Sequence, residues 1–310
     1  PVIERIVIAT RESQLALWQA DFIQRELMKA LPGAEVSLLG MTTHGDRWLS
    51  SPLSQVGGKG LFIKELEEAM LAGRADIAVH SMKDVPAVLP EGFALPLIGY
   101  RADVRDALVS PSGAGLMDLE EGAVVGSSSL RRQAMLLAVR PDLRMRPVRG
   151  NVNTRLAKLD AGEYDALILA AAGLERLGLA ERITEKLPET LSLPAAGQGA
   201  LGVECRQDAA ELISLLTELQ DDAVASCVLA ERAVSAGIGA DCSAPLGARA
   251  IRSEAGIQLQ ARLGSPDGSR MLEAEAAGED PLAIGQDAAA QLNAQGAQDL
   301  LAAVPKPDAP

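Results

Sequence analysis

Ala123-Val124-Val125-Gly126-Ser127-Ser128-Ser129-Leu130-Arg131-Arg132 carries the pattern that sets the fold. The small and β-branched apolar residues predict a buried strand. The serines after them predict the N-cap of a helix that runs on through Ala134 and Leu137. The layout recurs on both sides. Met145 to Val148 predicts a strand, followed by a helix holding Thr154, Leu156 and Leu159, then a strand over Ala166 to Ala170. Upstream, Ile3 to Ala9 predicts a strand. The helix after it has Ala16, Ala20, Ile23, Leu27 and Leu31 at helical spacing, and Pro32-Gly33 stops it. Glu35 to Leu39 predicts a second strand, Phe62 to Leu71 a helix, Ile77 to His80 a short buried strand, and Ala107 to Val109 another. Strands alternating with helices predict an α/β fold with mostly parallel sheets.

These elements form two units. One α/β lobe takes residues 1–99 and 200–218, and the other takes 103–193. Ala195 to Ala200 reads as the hinge, with Leu201 to Cys205 returning the chain to the first sheet. Residues 222–303 differ. Ala223 to Ala236 is a helix, Ile257 to Leu263 and Leu272 to Ala276 alternate as half-exposed strands, and an Ala-rich helix runs to about Ala303. This predicts a small α+β domain, followed by a frayed tail over 304–310.

Composition limits what such a fold can do. Acidic residues outnumber basic ones by 42 to 29, giving a net charge of −13, which excludes a general nucleic-acid binder. Aromatics are only 2%, so Leu, Val, Ile and Ala must fill the 310-residue chain's cores. Cys205, Cys227 and Cys242 cannot build a disulfide framework and fit a reducing compartment. No stretch reaches the length of a membrane span and no leader is apparent, so the reading is cytoplasmic. Only His44 and His80 are present, so no histidine metal site is expected. His80 reads as a packed strand residue and His44 as a loop surface residue.

Two glycine motifs mislead. Gly197-Gln198-Gly199-Ala200-Leu201-Gly202 matches the dinucleotide fingerprint, but Val203-Glu204-Cys205 after it reads as a strand where that fingerprint needs a helix. A hinge or close backbone packing explains it. Gly57-Gly58-Lys59-Gly60 lacks the glycine and hydroxyl positions of a phosphate loop, so ATP hydrolysis is unsupported. Gly45 to Gly60 reads as a mobile loop, with Lys59 and Phe62 as its loop or lid residues.

Arginine placement is the informative signal. Arg131 and Arg132 in the first turn of a helix oppose its dipole, and an anion there would remove the conflict. Arg149-Gly150-Asn151-Val152-Asn153-Thr154-Arg155 repeats the layout after the next strand, and Arg11 follows the first. Strand ends of parallel sheets line the ligand crevice, and arginine suits bidentate carboxylate binding. A polyanionic ligand is therefore expected. Lys83-Asp84 follows His80-Ser81-Met82 at another strand end, where Asp84 is a general acid/base, a group that steadies a developing cation, or a cap before Pro86. Cys242 lies in a loop, the better place for a nucleophile or attachment point.

At these residues the chain resembles the hydroxymethylbilane synthase (porphobilinogen deaminase) family. The resemblance rests on Ala9 to Ala16, Gly57 to Phe62, His80 to Pro86, Gly126 to Arg132, Arg149 to Arg155 and Pro194 to Gly199, plus the loop cysteine. It implies a monomeric transferase of tetrapyrrole synthesis, with two lobes like type II periplasmic binding proteins. A third domain holds a covalent dipyrromethane cofactor through a thioether, at the position of Cys242. Such enzymes condense four porphobilinogens head to tail on this primer, release ammonia, and free hydroxymethylbilane with water.

By the same matching, Asp84 stabilises the cationic azafulvene left when ammonia departs. Lys83, Ser129, Arg131, Arg132 and Arg155 hold the cofactor, and Arg11, Ser13, Arg149 and Arg176 hold substrate. Gln55, where bacterial relatives often have lysine, and Ala240-Asp241 before Cys242 depart from the pattern. The rival readings are a non-enzymatic two-lobed anion-binding protein, which has no use for Asp84 or Cys242, and the ligand domain of a regulator, which lacks a visible helix-turn-helix.

Overall fold

The structure is a computed structural model that describes residues 3–42 and 63–305. His44, Gln55, Lys59, Phe62 and the loop expected over Gly45 to Gly60 lie outside those residues.

The first lobe contains β1 (Arg5–Arg11), α1 (Gln14–Ala30), β2 (Glu35–Met41), α2 (Lys64–Leu71), β3 (Ile77–Ser81) and β4 (Phe93–Gly99). It is completed much later in the chain by β10 (Leu201–Arg206), in the order β2-β1-β3-β10-β4. The second lobe contains β5 (Asp106–Val109), β6 (Val124–Gly126), α3 (Leu130–Val139), β7 (Arg144–Arg146), α4 (Val152–Asp160), β8 (Ala166–Ala170), α5 (Ala171–Arg176) and β9 (Glu185–Lys186), in the order β7-β6-β8-β5-β9. β1 pairs parallel with β2 and β3, and β6 pairs parallel with β7 and β8. One strand in each sheet runs against its neighbours: β10 in the first and β5 in the second. Each is the strand that begins as the chain arrives from the other lobe. The two lobes therefore share one architecture, as expected of binding-protein-like lobes.

Apolar periodicity explains the cores. Ile6 and Ile8 of β1 pack on Ala20, Ile23 and Leu27 of α1, all at or below 1% exposure. Each fully buried aliphatic side chain contributes roughly 1.5–3 kcal/mol relative to exposure. In the second lobe Val109, Leu167 and Leu169 pack on Leu156, Leu159 and Leu174.

The connections between lobes pack closely. Gly197 and Gly199 have φ of +77° and +86°. A Cβ on Gly197 would sit 2.8 Å from the Met82 Cβ, and one on Gly199 would sit 2.8 Å from the Ala102 carbonyl oxygen. Both positions therefore require glycine for conformation and for space. The motif is a packing device at the crossover, followed by β10, and not a nucleotide loop.

After α6 (Ala210–Glu218) come α7 (Asp222–Ile238), β11 (Leu246–Ser253), β12 (Gly256–Gly264), β13 (Met271–Gly278), α8 (Pro281–Ala294) and α9 (Ala297–Ala302). The three strands form an antiparallel meander in the order β11-β12-β13. α7 and α8 bury Val234, Ile238, Ile284 and Leu292 against it. The single Ala-rich helix expected at the end is two, broken at Gln295 and Gly296.

Glu231 of α7, fully buried, ties this unit to the crossover. It accepts Arg101 Nη1 and Nη2 at 2.9 Å, Gly197 N–H at 2.7 Å and Ala250 N–H at 2.8 Å.

Candidate functional site

Three helices begin just beyond parallel strands, and each carries a side-chain cap. Ser13 Oγ accepts the Ala16 N–H at 3.3 Å, Ser129 Oγ accepts the Arg132 N–H at 3.3 Å, and Asn151 Oδ1 accepts the Thr154 N–H at 2.9 Å. A serine hydroxyl that accepts from the backbone keeps its own proton to donate. Ser13 and Ser129 thus remain competent donors to a carboxylate.

Arg131 and Arg132 are 4% and 7% exposed, so this turn is not solvated surface. The anion that the helix dipole called for is supplied in part by the protein. Asp106, fully buried at the start of β5, accepts Arg131 Nη1 at 2.7 Å, Arg131 Nη2 at 3.1 Å and Arg132 Nε at 2.9 Å. Ser192 Oγ at 2.6 Å and Gln198 Nε2 at 3.0 Å also donate to it. Burial alone would raise the Asp106 pKa, but the two guanidinium charges outweigh it and hold the carboxyl well below the usual range. Two cations share one anion, which leaves net positive charge at the strand ends.

Further cations stand close to this pair. Part of Lys83 reaches solvent, yet its ammonium is enclosed by protein. Burial, with the repulsion of Arg132 and Arg131, pushes it down to about 8 against the pull of Asp84 and Asp106. Arg155 is pushed down to about 10 by burial and by Arg132 and Arg149. Its Nε donates to the Gly150 carbonyl at 2.8 Å. Groups that repel each other in this way favour an anionic ligand, and such a ligand would restore their ordinary pKa.

Asp84, exposed at the end of the short turn Met82–Asp84, faces the same set. Arg11, Ser13, Gln19, His80, Ser81 and Asp84 line one recess in the first lobe. A larger cavity of about 520 Å³, lined by Leu89, Leu229, Arg232 and Leu282 among others, contains none of the expected site residues. The expected site residues thus gather at the charged recess and not at the larger cavity.

Arg149 is half-buried, and burial lowers its pKa. Arg176 stands at the crossover. Its Nη2 donates to the Gly199 carbonyl at 2.7 Å and the Tyr100 carbonyl at 3.3 Å, and its guanidinium lies 5.5 Å from the Trp18 ring centre.

Cys242 lies between α7 and β11. It is exposed at its surface, yet enough protein surrounds the thiol that burial pushes it up to about 11, aided by the charges of Asp84 and Asp241. The loop cysteine is accessible but not acidified. Asp241 also shapes the loop, accepting the Ser243 N–H at 2.9 Å and the Ser243 hydroxyl at 2.5 Å.

The structure thus brings Lys83, Asp84, Arg131, Arg132, Arg155 and Cys242 into one electrostatic neighbourhood, with Arg11 and Ser13 on the wall beside Asp84. Sequence reading missed Asp106, Gln19 and Gln198. A charged residue opening the buried Ala107-Leu108-Val109 strand was the available signal for Asp106. His80 is the packed strand residue expected, its Nε2 2.7 Å from Glu204. No cluster of metal-ligating side chains occurs among the described residues, and none of their helices is long and apolar enough to cross a membrane.

Two family patterns match the chain. One, described as "Porphobilinogen deaminase, dipyromethane cofactor binding domain", matches residues 6–214. The other, "Porphobilinogen deaminase, C-terminal domain", matches 225–294. A porphobilinogen deaminase of Nitrosomonas europaea is 53% identical over 303 residues, covering 97% of this chain and 98% of the relative. One from Thiobacillus denitrificans is 53% identical over 302 residues, covering 97% and 99%. Among solved structures, a probable amino-acid transporter extracellular-binding protein of Bacillus subtilis aligns with a TM-score of 0.45 at 15% identity, covering 70% of this chain and 92% of that one.

Proposed function

Because the chain belongs to the porphobilinogen deaminase family, we propose that the recess holding Arg11 and Asp84, together with the cations near Asp84, is where its chemistry takes place, with each charged residue in a distinct role. The activity is hydroxymethylbilane synthesis: four porphobilinogens join head to tail with loss of ammonia, and hydrolysis frees the product. A non-enzymatic anion binder is not favoured.

The residues present fit the family's dipyrromethane cofactor. Cys242 offers an accessible sulfur, and Lys83, Arg132 and Arg155 form a mutually repelling cationic set suited to acetate and propionate groups. When bound, that group supplies the pyrrole carbon from which the product is extended. Lys83, Ser129, Arg131, Arg132 and Arg155 hold its carboxylates. The Asp106 pair fixes Arg131 and Arg132 before any ligand arrives, so little reorganisation is needed on binding. A thiol held up near 11 is mostly protonated at neutral pH, so forming the thioether needs a base for the Sγ proton. Solvent reaches this exposed residue and takes up the proton.

Arg11, Ser13 and Arg149 receive the carboxylates of incoming porphobilinogen, and Arg176 acts from the crossover side. Loss of ammonia leaves positive charge on the substrate, and Asp84 stabilises it and accepts pyrrole N–H groups. The observation that carries this reading is one exposed carboxylate set among repelling cations beside an accessible cysteine. The same reading makes the protein a cytoplasmic monomer that acts on a small molecule, without nucleic acid or membrane. Its net charge of −13 and its free cysteines support this. A native mass equal to two chains would overturn the monomer.

Arg149→Ala tests the substrate role. Losing a charge-assisted hydrogen bond, about 1.5–3 kcal/mol, predicts a KM for porphobilinogen higher by on the order of 10- to 100-fold, with the cofactor still attached. Unchanged KM and rate would remove Arg149 from the site.

A further inference from the structure

Behind the recess wall lies a buried set of titratable groups that the mechanism above does not use. Glu204 of β10 is fully buried, and its Oε2 is 2.7 Å from His80 Nε2. Glu67 of α2 is 8% exposed, and its carboxyl lies close enough to that of Glu204 for the two to interact directly. Glu67 Oε1 and Glu204 Oε1 are both buried, and neither receives a hydrogen bond from any donor. Two carboxylates cannot both ionise at such contact without a large penalty, so one proton must lie between them.

We propose that Glu67 is a positioning residue for the cleft. Its carboxyl shares one proton with Glu204, and this bond, continued through His80, fixes the end of β3 that presents Ser81, Lys83 and Asp84. This rests on the site assignment above.

The geometry gives the device its reach. α2 packs on β1, β3 and β10, and Ile63 just before it lines the same recess as His80, Ser81 and Asp84. Ser81 is held from its other side by Gln19 Nε2 at 2.9 Å. The titratable and charged groups on the packed strands are Arg5 and Arg11 of β1, His80 of β3, and Glu204, Cys205 and Arg206 of β10. α2 itself adds Lys64, Glu65 and Glu68.

Burial, then the charge and hydrogen bond of Glu204, pushes Glu67 up to about 8. The proton is assigned to Glu67 because it is the carboxyl whose pKa burial and its neighbour raise. Protonation of Glu67 is thus tied to folding. This stabilisation is full below the ordinary glutamate range and falls as pH rises toward about 8, above which two buried anions face each other.

The test uses the full-length holoenzyme. Infrared difference spectra of wild type against Glu67→Gln should show a protonated-carboxyl stretch at neutral pH that disappears as pH rises through about 8. The variant should lack it. Absence of that band from wild type overturns the shared proton whatever the site does.

In kinetics, Glu67→Gln keeps a donor to Glu204 and should match wild-type kcat at neutral pH. Above pH 8 it should retain severalfold more of that rate, since Lys83 titrates equally in both proteins. Glu67→Ala should lose kcat severalfold with its cofactor intact. Superimposable pH profiles for wild type and Glu67→Gln overturn the positioning role, even if Glu67→Ala fails to fold. An inactive wild type would instead fault the site assignment and leave the infrared result standing.

Discussion

Asp84→Ala is expected to lose nearly all turnover while keeping the fold and the covalent cofactor. Two carboxylates bear on Lys83: Asp84 and Asp106. Asp106 is fully buried and committed to Arg131, Arg132, Ser192 and Gln198. Asp84 is exposed at the tip of its turn, so it is the one open to a ligand. Removing an exposed carboxylate at a turn end leaves no cavity and no buried orphan, so stability should change little. It also leaves the recess more cationic, so anionic substrate should bind no worse. The loss must then fall on kcat, by about 10²- to 10⁴-fold if Asp84 acts on charge or a proton in the transition state. Single-turnover consumption of porphobilinogen, with the cofactor confirmed by mass, measures this. Product formation near the wild-type rate would remove Asp84 from the mechanism.

Asp106→Asn is expected to produce the largest loss of stability. The variant leaves Arg131 and Arg132 buried with an amide in place of their shared anion. Breaking a buried ion pair from one side costs about 3–5 kcal/mol because the remaining charge is uncompensated. The pH dependence carries a sign. The Asp106 pKa is depressed in the folded state, so its contribution is complete above the ordinary aspartate range and fades as pH falls below it. Wild type should therefore lose stability on acidification through a component that Asp106→Asn lacks. Urea or thermal unfolding at neutral and acid pH reads both effects. A variant as stable as wild type at neutral pH would show that the arginines do not depend on Asp106.

The strand-helix alternation and the three blocks of arginine at strand ends were legible because they are local. A buried strand, a capping serine and an arginine lie within a few residues of each other. What stayed hidden depends on distant partners or on exceptions to local rules. β4 was missed because Pro96 interrupts it, and proline is tolerated there because β4 is an edge strand. β11 was missed because Gly247 and Arg249 interrupt its apolar pattern. That Arg131 and Arg132 rest on Asp106 could not be read from either segment, since 25 and 26 residues separate the partners. The glycine fingerprint was correctly set aside from its context, but its reason, backbone contact with Met82 and Ala102, needed coordinates. Asp241 was visible as a departure, while its bonds to Ser243 and its effect on the Cys242 thiol were not.

The mass of the intact protein purified from cells, beside Cys242→Ala, bears most directly on the claim that a pyrrole primer hangs from this sulfur among the cleft's cations. The wild-type chain should be heavier than its sequence by two linked pyrrole rings, and the variant should carry no such excess. A wild-type chain at its plain sequence mass, or an equal excess on the variant, would contradict the account.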